Sequence, residues 1–312
     1  MNLLLPAVTV FPILFYMAAG FFFRRIKRLS DGTVTQMNKI IFSYFFPFVM
    51  FNNIYRTQLD KAFNARFLGV MVALVVLTSL AVVLIIPRFH KSKPVQGSIM
   101  QAIIRGNTIL FALPVVSAIA GSENTGLVSL CVAIVVPLYN GICTIILEVL
   151  RGKSLRPLSL LLSLVRNPLI LGALFGLAAK LAGLRLPLVL ADIASGIAGL
   201  VTPLALIMLG AGLRFSDTLT YRRELVWVSL IKLIIVPLIY VAVIKAMGFD
   251  KVAVTTALAL AAVPTAVSTY VMAQEMGADG VLAGQLVAVT SVLSIATVFL
   301  WVLLLAFVGW IG

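Results

Sequence analysis

Acidic side chains are scarce in this chain. Ten Asp and Glu stand against 24 Lys and Arg, and charged residues of both signs fill only 11% of the 312 positions. A soluble domain carries about a quarter charged residues, so an ordinary water-facing surface is excluded. Histidine occurs once, as His90 in the basic stretch "RFHKSK", and cysteine twice, as Cys131 and Cys143. That inventory offers no Cys–His nucleophile pair, no acid cluster for proton transfer and no set of metal ligands. It argues against an enzyme, and no cofactor is expected. The two cysteines share one apolar run, about 18 Å apart along a continuous helix, which is too far for a disulfide. No G-x-x-x-x-G-K-[ST] loop is present, so the chain has no phosphate cradle for its own ATP hydrolysis.

What is abundant is apolar sequence: 62% of residues are hydrophobic and mean hydropathy is +1.15. At about 20 apolar residues per crossing, the chain reads as an all-α integral membrane protein with ten spans. They fall near 4–23, 35–55, 66–86, 99–120, 125–149, 163–183, 189–212, 225–247, 253–274 and 281–308. The net charge of +14 does not point to nucleic acid, because no basic run is interleaved with aromatics on a polar face. Basic residues collect in cytoplasmic loops whatever a membrane protein does. The first apolar run, Leu3 to Phe23, precedes its charges ("RRIKR"), the order of a span rather than a cleaved signal. With the N-terminus outside, the odd-numbered loops hold Arg24, Arg25, Lys27, Arg28, Arg88, Lys91, Lys93, Arg151, Lys153, Arg156, Arg214, Arg222 and Arg223. The even-numbered ones hold fewer: Arg56, Lys61, Arg66, Lys245, Arg185 and Lys251. Both termini are thus expected on the extracellular or periplasmic side of the cytoplasmic membrane.

Two spans carry a central proline: "RGNTILFALPVVSAIAG" around Pro114 and "LALAAVPTAVSTYVMAQEMG" around Pro264. The pair is 150 positions apart, and Pro47 and Pro203 are 156 apart, half the chain. The chain therefore divides into five-span repeats, 1–152 and 153–312. An odd number of spans inverts the second relative to the first. Broken helices at matching places in inverted halves mark the binding region of a secondary transporter. Pro114 and Pro264 are expected to begin second half-helices. The amides at Val115, Val116 and Ser117, and at Thr265, Ala266 and Val267, would then meet an anion at the bilayer centre.

Four stretches, "GNTILFALPVVSAIAG", "NPLILGALFGL", "TPLALIMLGAGL" and "AAVPTAVSTYVMAQEMG", together resemble the auxin efflux carrier family, in particular its short bacterial members. Asn107, the "NK" before Pro47 and the "AQE" after Pro264 match its pattern. The resemblance implies a scaffold of helices 1, 2, 6 and 7 and a transport domain of helices 3–5 and 8–10, with the fourth and ninth helices crossing. It also implies homodimers and transport of organic anions such as dicarboxylates or auxin. The long cytoplasmic loop of many plant members is missing, and the third span lacks the acid they carry there. Proton coupling through that acid is therefore not implied.

Candidate binding residues follow from the breaks. Asn107 hydrogen-bonds either substrate or a neighbouring helix. Arg105 has the chemistry to hold a carboxylate, but at about 13 Å along a helix from Pro114 it is expected to snorkel to the cytoplasmic interface. Ser117, Thr265, Ser268 and Thr269 offer hydroxyls, or serve as packing. Lys39 and Gln285 either line the site or bond helices together. Glu148 is expected to be solvated or paired near the surface, and Lys180 and Lys232 to reach headgroups from span ends. The leading function is a secondary carrier of small organic anions working by an elevator motion, with proton, sodium or no coupling ion. The alternatives are a passive channel or sensor on the same architecture, or a cation/proton antiporter, which would need mid-membrane carboxylates.

Overall fold

The computed structural model describes residues 5–55, 64–121, 124–152, 168–212 and 221–311. The connection across the expected repeat boundary, and the loop cations Arg56, Lys61, Lys153, Arg156 and Arg214, lie outside the described residues. Those residues form helices and no strand. We number them α1 (Leu5–Arg25), α2 (Asp31–Ile40), α3 (Phe46–Tyr55), α4 (Ala65–Phe89), α5 (Lys93–Ile104), α6 (Thr108–Ala120) and α7 (Thr125–Leu150). The second half holds α8 (Pro168–Leu181), α9 (Leu188–Gly212), α10 (Arg222–Leu230), α11 (Val236–Ala246), α12 (Lys251–Ala261), α13 (Ser268–Glu275) and α14 (Gly280–Phe307). The helices Ala65–Phe89, Thr125–Leu150, Leu188–Gly212, Arg222–Ala246 and Gly280–Phe307 are long and apolar enough to cross a membrane.

Proline shapes two of the rods without ending them. Pro47 and Pro237 have no N–H to give the carbonyl four residues back. The turn before each widens into a π turn, Ile41–Phe45 and Ile231–Ile235, in which Phe46 N–H bonds Ile41 O and Val236 N–H bonds Ile231 O. The carbonyl left over by Pro237, Leu233 O, accepts from the Trp301 indole at 2.9 Å. Each π turn joins its flanking helices, α2 to α3 and α10 to α11.

The helices pack in two groups. α1 lies along α9, α3 along α8, and α3 also touches α9. Glycine permits the closeness. A Cβ on Gly20 would collide with the Ile207 carbonyl, one on Gly210 with the Met17 carbonyl, and those on Gly172 and Gly176 with the backbone of Pro47 and Phe51. Small residues at such crossings let backbones approach, which is how helices gain packing energy in lipid. The second group joins α4, α5, α6, α7, α11, α12, α13 and α14. Leu77, Leu80 and Leu84 on α4, and Leu300, Leu304 and Phe307 on α14, are exposed along single helix faces. A lipid-facing surface explains them; water would not tolerate so large an apolar patch.

Candidate functional site

Both expected breaks exist, but only one falls at its proline. α12 stops at Ala261, the chain runs irregularly through Pro264, and α13 starts at Ser268. α5 stops at Ile104 and α6 begins at Thr108, so the other break is Arg105–Gly106–Asn107, and Pro114 lies inside α6. The expectation that Pro114 and Pro264 each begin a half-helix is corrected: Pro114 lies within α6, and α13 begins four residues after Pro264. A proline within a helix removes one bond and is absorbed, whereas here the extended backbone of Arg105 (φ −94°, ψ 124°) turns the chain out of the helix.

The breaks meet. Asn107 N–H donates to Pro264 O at 2.8 Å and Ala266 N–H to Arg105 O at 3.3 Å, an antiparallel bridge centred on Gly106 and Thr265. Further groups freed by the interruptions also find partners. Ala102 O accepts from Thr265 Oγ1 at 3.0 Å, Ile103 O from Lys232 Nζ at 3.2 Å, and Gly106 O from the Tyr139 hydroxyl at 3.0 Å. Thr265 N–H donates to Thr290 Oγ1 at 3.1 Å. Non-helical backbone survives at membrane depth only under such accounting. Gly106 is required at the crossing, since a Cβ there would lie 2.6 Å from Val263 Cγ2.

The bare amides anticipated from the sequence are therefore largely occupied. Those of Val115, Val116 and Ser117 belong to the interior of α6. Those of Thr265 and Ala266 are bonded as described, and Thr269 and Tyr270 N–H reach Ala266 O and Val267 O. Positive charge at the crossover comes instead from Arg105, which is 1% exposed and does not snorkel. Its Nη1 donates to Gln101 Oε1 at 3.3 Å and to Met272 Sδ, its Nη2 to Asn140 Oδ1 and Ser268 Oγ. These partners are all neutral. Among the described residues no carboxylate pairs with Arg105, and its Nε–H has no partner. Burying an ion carries a penalty of several kcal/mol, and an anionic ligand would offset it.

A cavity of about 500 Å³ opens beside the crossover. Its walls come from α1 (Tyr16), α3 (Met50), α7 (Tyr139, Asn140), α9 (Thr202, Pro203) and both breaks, so it lies between the two helix groups. Of the candidate binding residues singled out from the sequence, Arg105, Asn107, Ala266, Val267 and Ser268 line it. Asn107 Nδ2 has no partner among the described residues. Pro264 and Thr265 stand one layer behind, holding the bridge. Thr269 is fully buried away from the cavity, Val115 and Val116 are buried in α6, and Ser117 is half-buried there. The side chain of Pro114 is outside the description. Lys39 is exposed and Gln285 is buried in α14, and neither lines the cavity. Glu148 is buried and partnered rather than solvated. Lys180 sits in the last turn of α8, whereas Lys232 is 2% exposed behind the crossover and reaches no headgroup. The sequence reading overlooked Tyr139 and Asn140, although "PLYNGICT" places two polar side chains inside an apolar run.

Comparison with known proteins places the chain among membrane transport proteins. The model of a family described as "Membrane transport protein" matches residues 7–302. A protein of Rhizobium meliloti (strain 1021) named "Putative malonate transporter" is 28% identical over 152 residues, which are 47% of this chain and 48% of that relative. The match thus spans about half the length of the curated relative.

Proposed function

The chain belongs to the membrane transport protein family, that of the auxin efflux carriers, and on that premise we propose that it is a secondary carrier of small organic anions. The observation that carries the proposal is Arg105: a buried guanidinium without a carboxylate partner among the described residues, at the wall of a cavity of ligand size. A carboxylate entering beside Asn107 and Ser268 supplies the missing counter-charge through charge-assisted hydrogen bonds. The relative's name makes malonate the first anion to test.

The finer reading is of ten spans in two inverted repeats, residues 1–152 and 153–312, with both termini outside the cytoplasmic membrane. α1, α2–α3, α8 and α9 form a fixed scaffold, and its glycine-tight crossings favour rigidity. The remaining helices form a transport domain that carries the anion past it, as a homodimer. A cavity walled by both groups supports this division, because sliding one group against the other alternates its exposure. A cation/proton antiporter would need a carboxylate there, and no described Asp or Glu lines the cavity. A channel or sensor is separated from a carrier by saturation and exchange.

The test is a thermal-shift titration of the purified protein with malonate and with a series of mono- and dicarboxylates, followed by counterflow in proteoliposomes. Saturable stabilisation and exchange are expected. Indifference to every carboxylate would overturn the anion reading.

A further inference from the structure

Among the described residues, Lys232 is a second buried cation, and the anion cavity does not include it. It lies on the other side of the crossover, on the π turn Ile231–Ile235. That widened turn changes the angular placement of the side chains around it, as π turns at functional places commonly do. The ammonium donates to Ile103 O at 3.2 Å, one of the final carbonyls of half-helix α5. Those carbonyls form the negative end of the α5 dipole. Lys232 shares a void of only about 20 Å³ with Thr78, Tyr139, Tyr240 and Gly106, enough for about one water. No described carboxylate pairs with it. In carriers with broken helices, half-helix C-terminal carbonyls are where a coupling cation is coordinated.

We infer that Lys232 is a tethered cation occupying the place of an inorganic coupling ion behind the crossover, so that this chain takes no sodium there. The ammonium neutralises the carbonyl end of α5 and helps hold the Gly106–Thr265 bridge in register whether or not substrate is bound. With the ammonium on Ile103 O and only about 20 Å³ beside it, a free cation would have to compete with an attached one. The inference rests on the crossover being a carrier's binding region, but its test requires no substrate.

The experiment compares thermal unfolding midpoints of the purified full chain in equal concentrations of sodium chloride, methylammonium chloride and choline chloride, with wild type and Lys232→Ala. Wild type is expected to unfold at one midpoint in all three salts. Lys232→Ala should unfold lower in choline, whose cation is too large to enter, and recover part of the loss in sodium or methylammonium. A wild-type midpoint raised selectively by sodium would overturn the inference, and so would a variant equally stable in all three salts. Should Lys232→Ala not fold, the wild-type arm still decides, with Lys232→Met as the variant: the thioether refills the volume, and its midpoint should lie below that of wild type and respond to no cation. A Met variant as stable as wild type would then count against the tether. Failure to bind malonate would leave all of these midpoints in place and bear on the anion reading alone.

Discussion

Replacing Arg105 with glutamine removes the charge while keeping a polar side chain near Gln101, Asn140 and Ser268. Four of the five guanidinium N–H groups face neutral partners in the ligand-free protein, and Nε–H is the donor left over. A carboxylate thus gains at least one hydrogen bond to a charged group, about 1.5–3 kcal/mol. Glutamine forfeits it, which weakens malonate binding roughly 10- to 100-fold. Ligand-free stability should move the other way or not at all, because a buried unpaired charge is expensive to hold. The assay is a pair of thermal titrations, with and without malonate. The wild-type midpoint rises with ligand, whereas Arg105→Gln starts as high or higher and rises less. A variant that binds as wild type does would remove the guanidinium from the site. A variant that loses several kcal/mol of ligand-free stability would show that Arg105 is structural.

Other substitutions separate the parts of the crossover. Pro264→Ala should impair counterflow by encouraging α12 and α13 to fuse, whereas Pro114→Ala, inside a continuous α6, should leave it near wild type; equal effects would contradict the placement of the breaks. Gly106→Val inserts carbon where even a Cβ meets Val263 and approaches Lys232, and should lower stability by about 1–3 kcal/mol of overpacking, read as a lower unfolding midpoint. Asn107→Ala should weaken malonate binding without changing expression or insertion, measured by titration of the purified protein. Gly210→Leu forces α9 off the Met17 carbonyl and should collapse the yield of folded protein, whereas Gly141→Leu, with open space around its Cβ position, should not.

Sequence reasoning found the transmembrane class and the existence of two interruptions, because hydropathy and proline report directly on helix length and helix bonding. Pro264 lies within its break, though the next helix begins only at Ser268; a proline flanked by residues able to pair elsewhere does end a helix. Pro114 misled because a proline inside an apolar helix costs one hydrogen bond, and helix neighbours absorb it. That error propagated to Arg105, whose depth was measured from the wrong break along a helix that does not pass through it. Distance along a chain predicts depth only while the helix continues. Lys232 was misplaced for a related reason. Its position near the start of an apolar run suggests an interface, but the crossover supplies Ile103 O from 129 residues away in sequence. Asn140 was legible as an intramembrane amide, but nothing local indicated that its partner would be Arg105.

The neutral company of Arg105 has an electrical consequence for the proposed carrier. Among the described residues no carboxylate pairs with Arg105 or with Lys232, so the unloaded transport domain of that carrier would hold two buried positive charges, of which a monoanion cancels one and a dianion both. Membrane voltage acts on a moving charge by about 2.3 kcal/mol per elementary charge per 100 mV, if the full potential drop is crossed. The vacant stroke would then feel the potential more strongly than the loaded one, a dianionic cargo would leave its own stroke without net buried charge, and the number of carboxylates on the cargo would set how current divides between the two strokes.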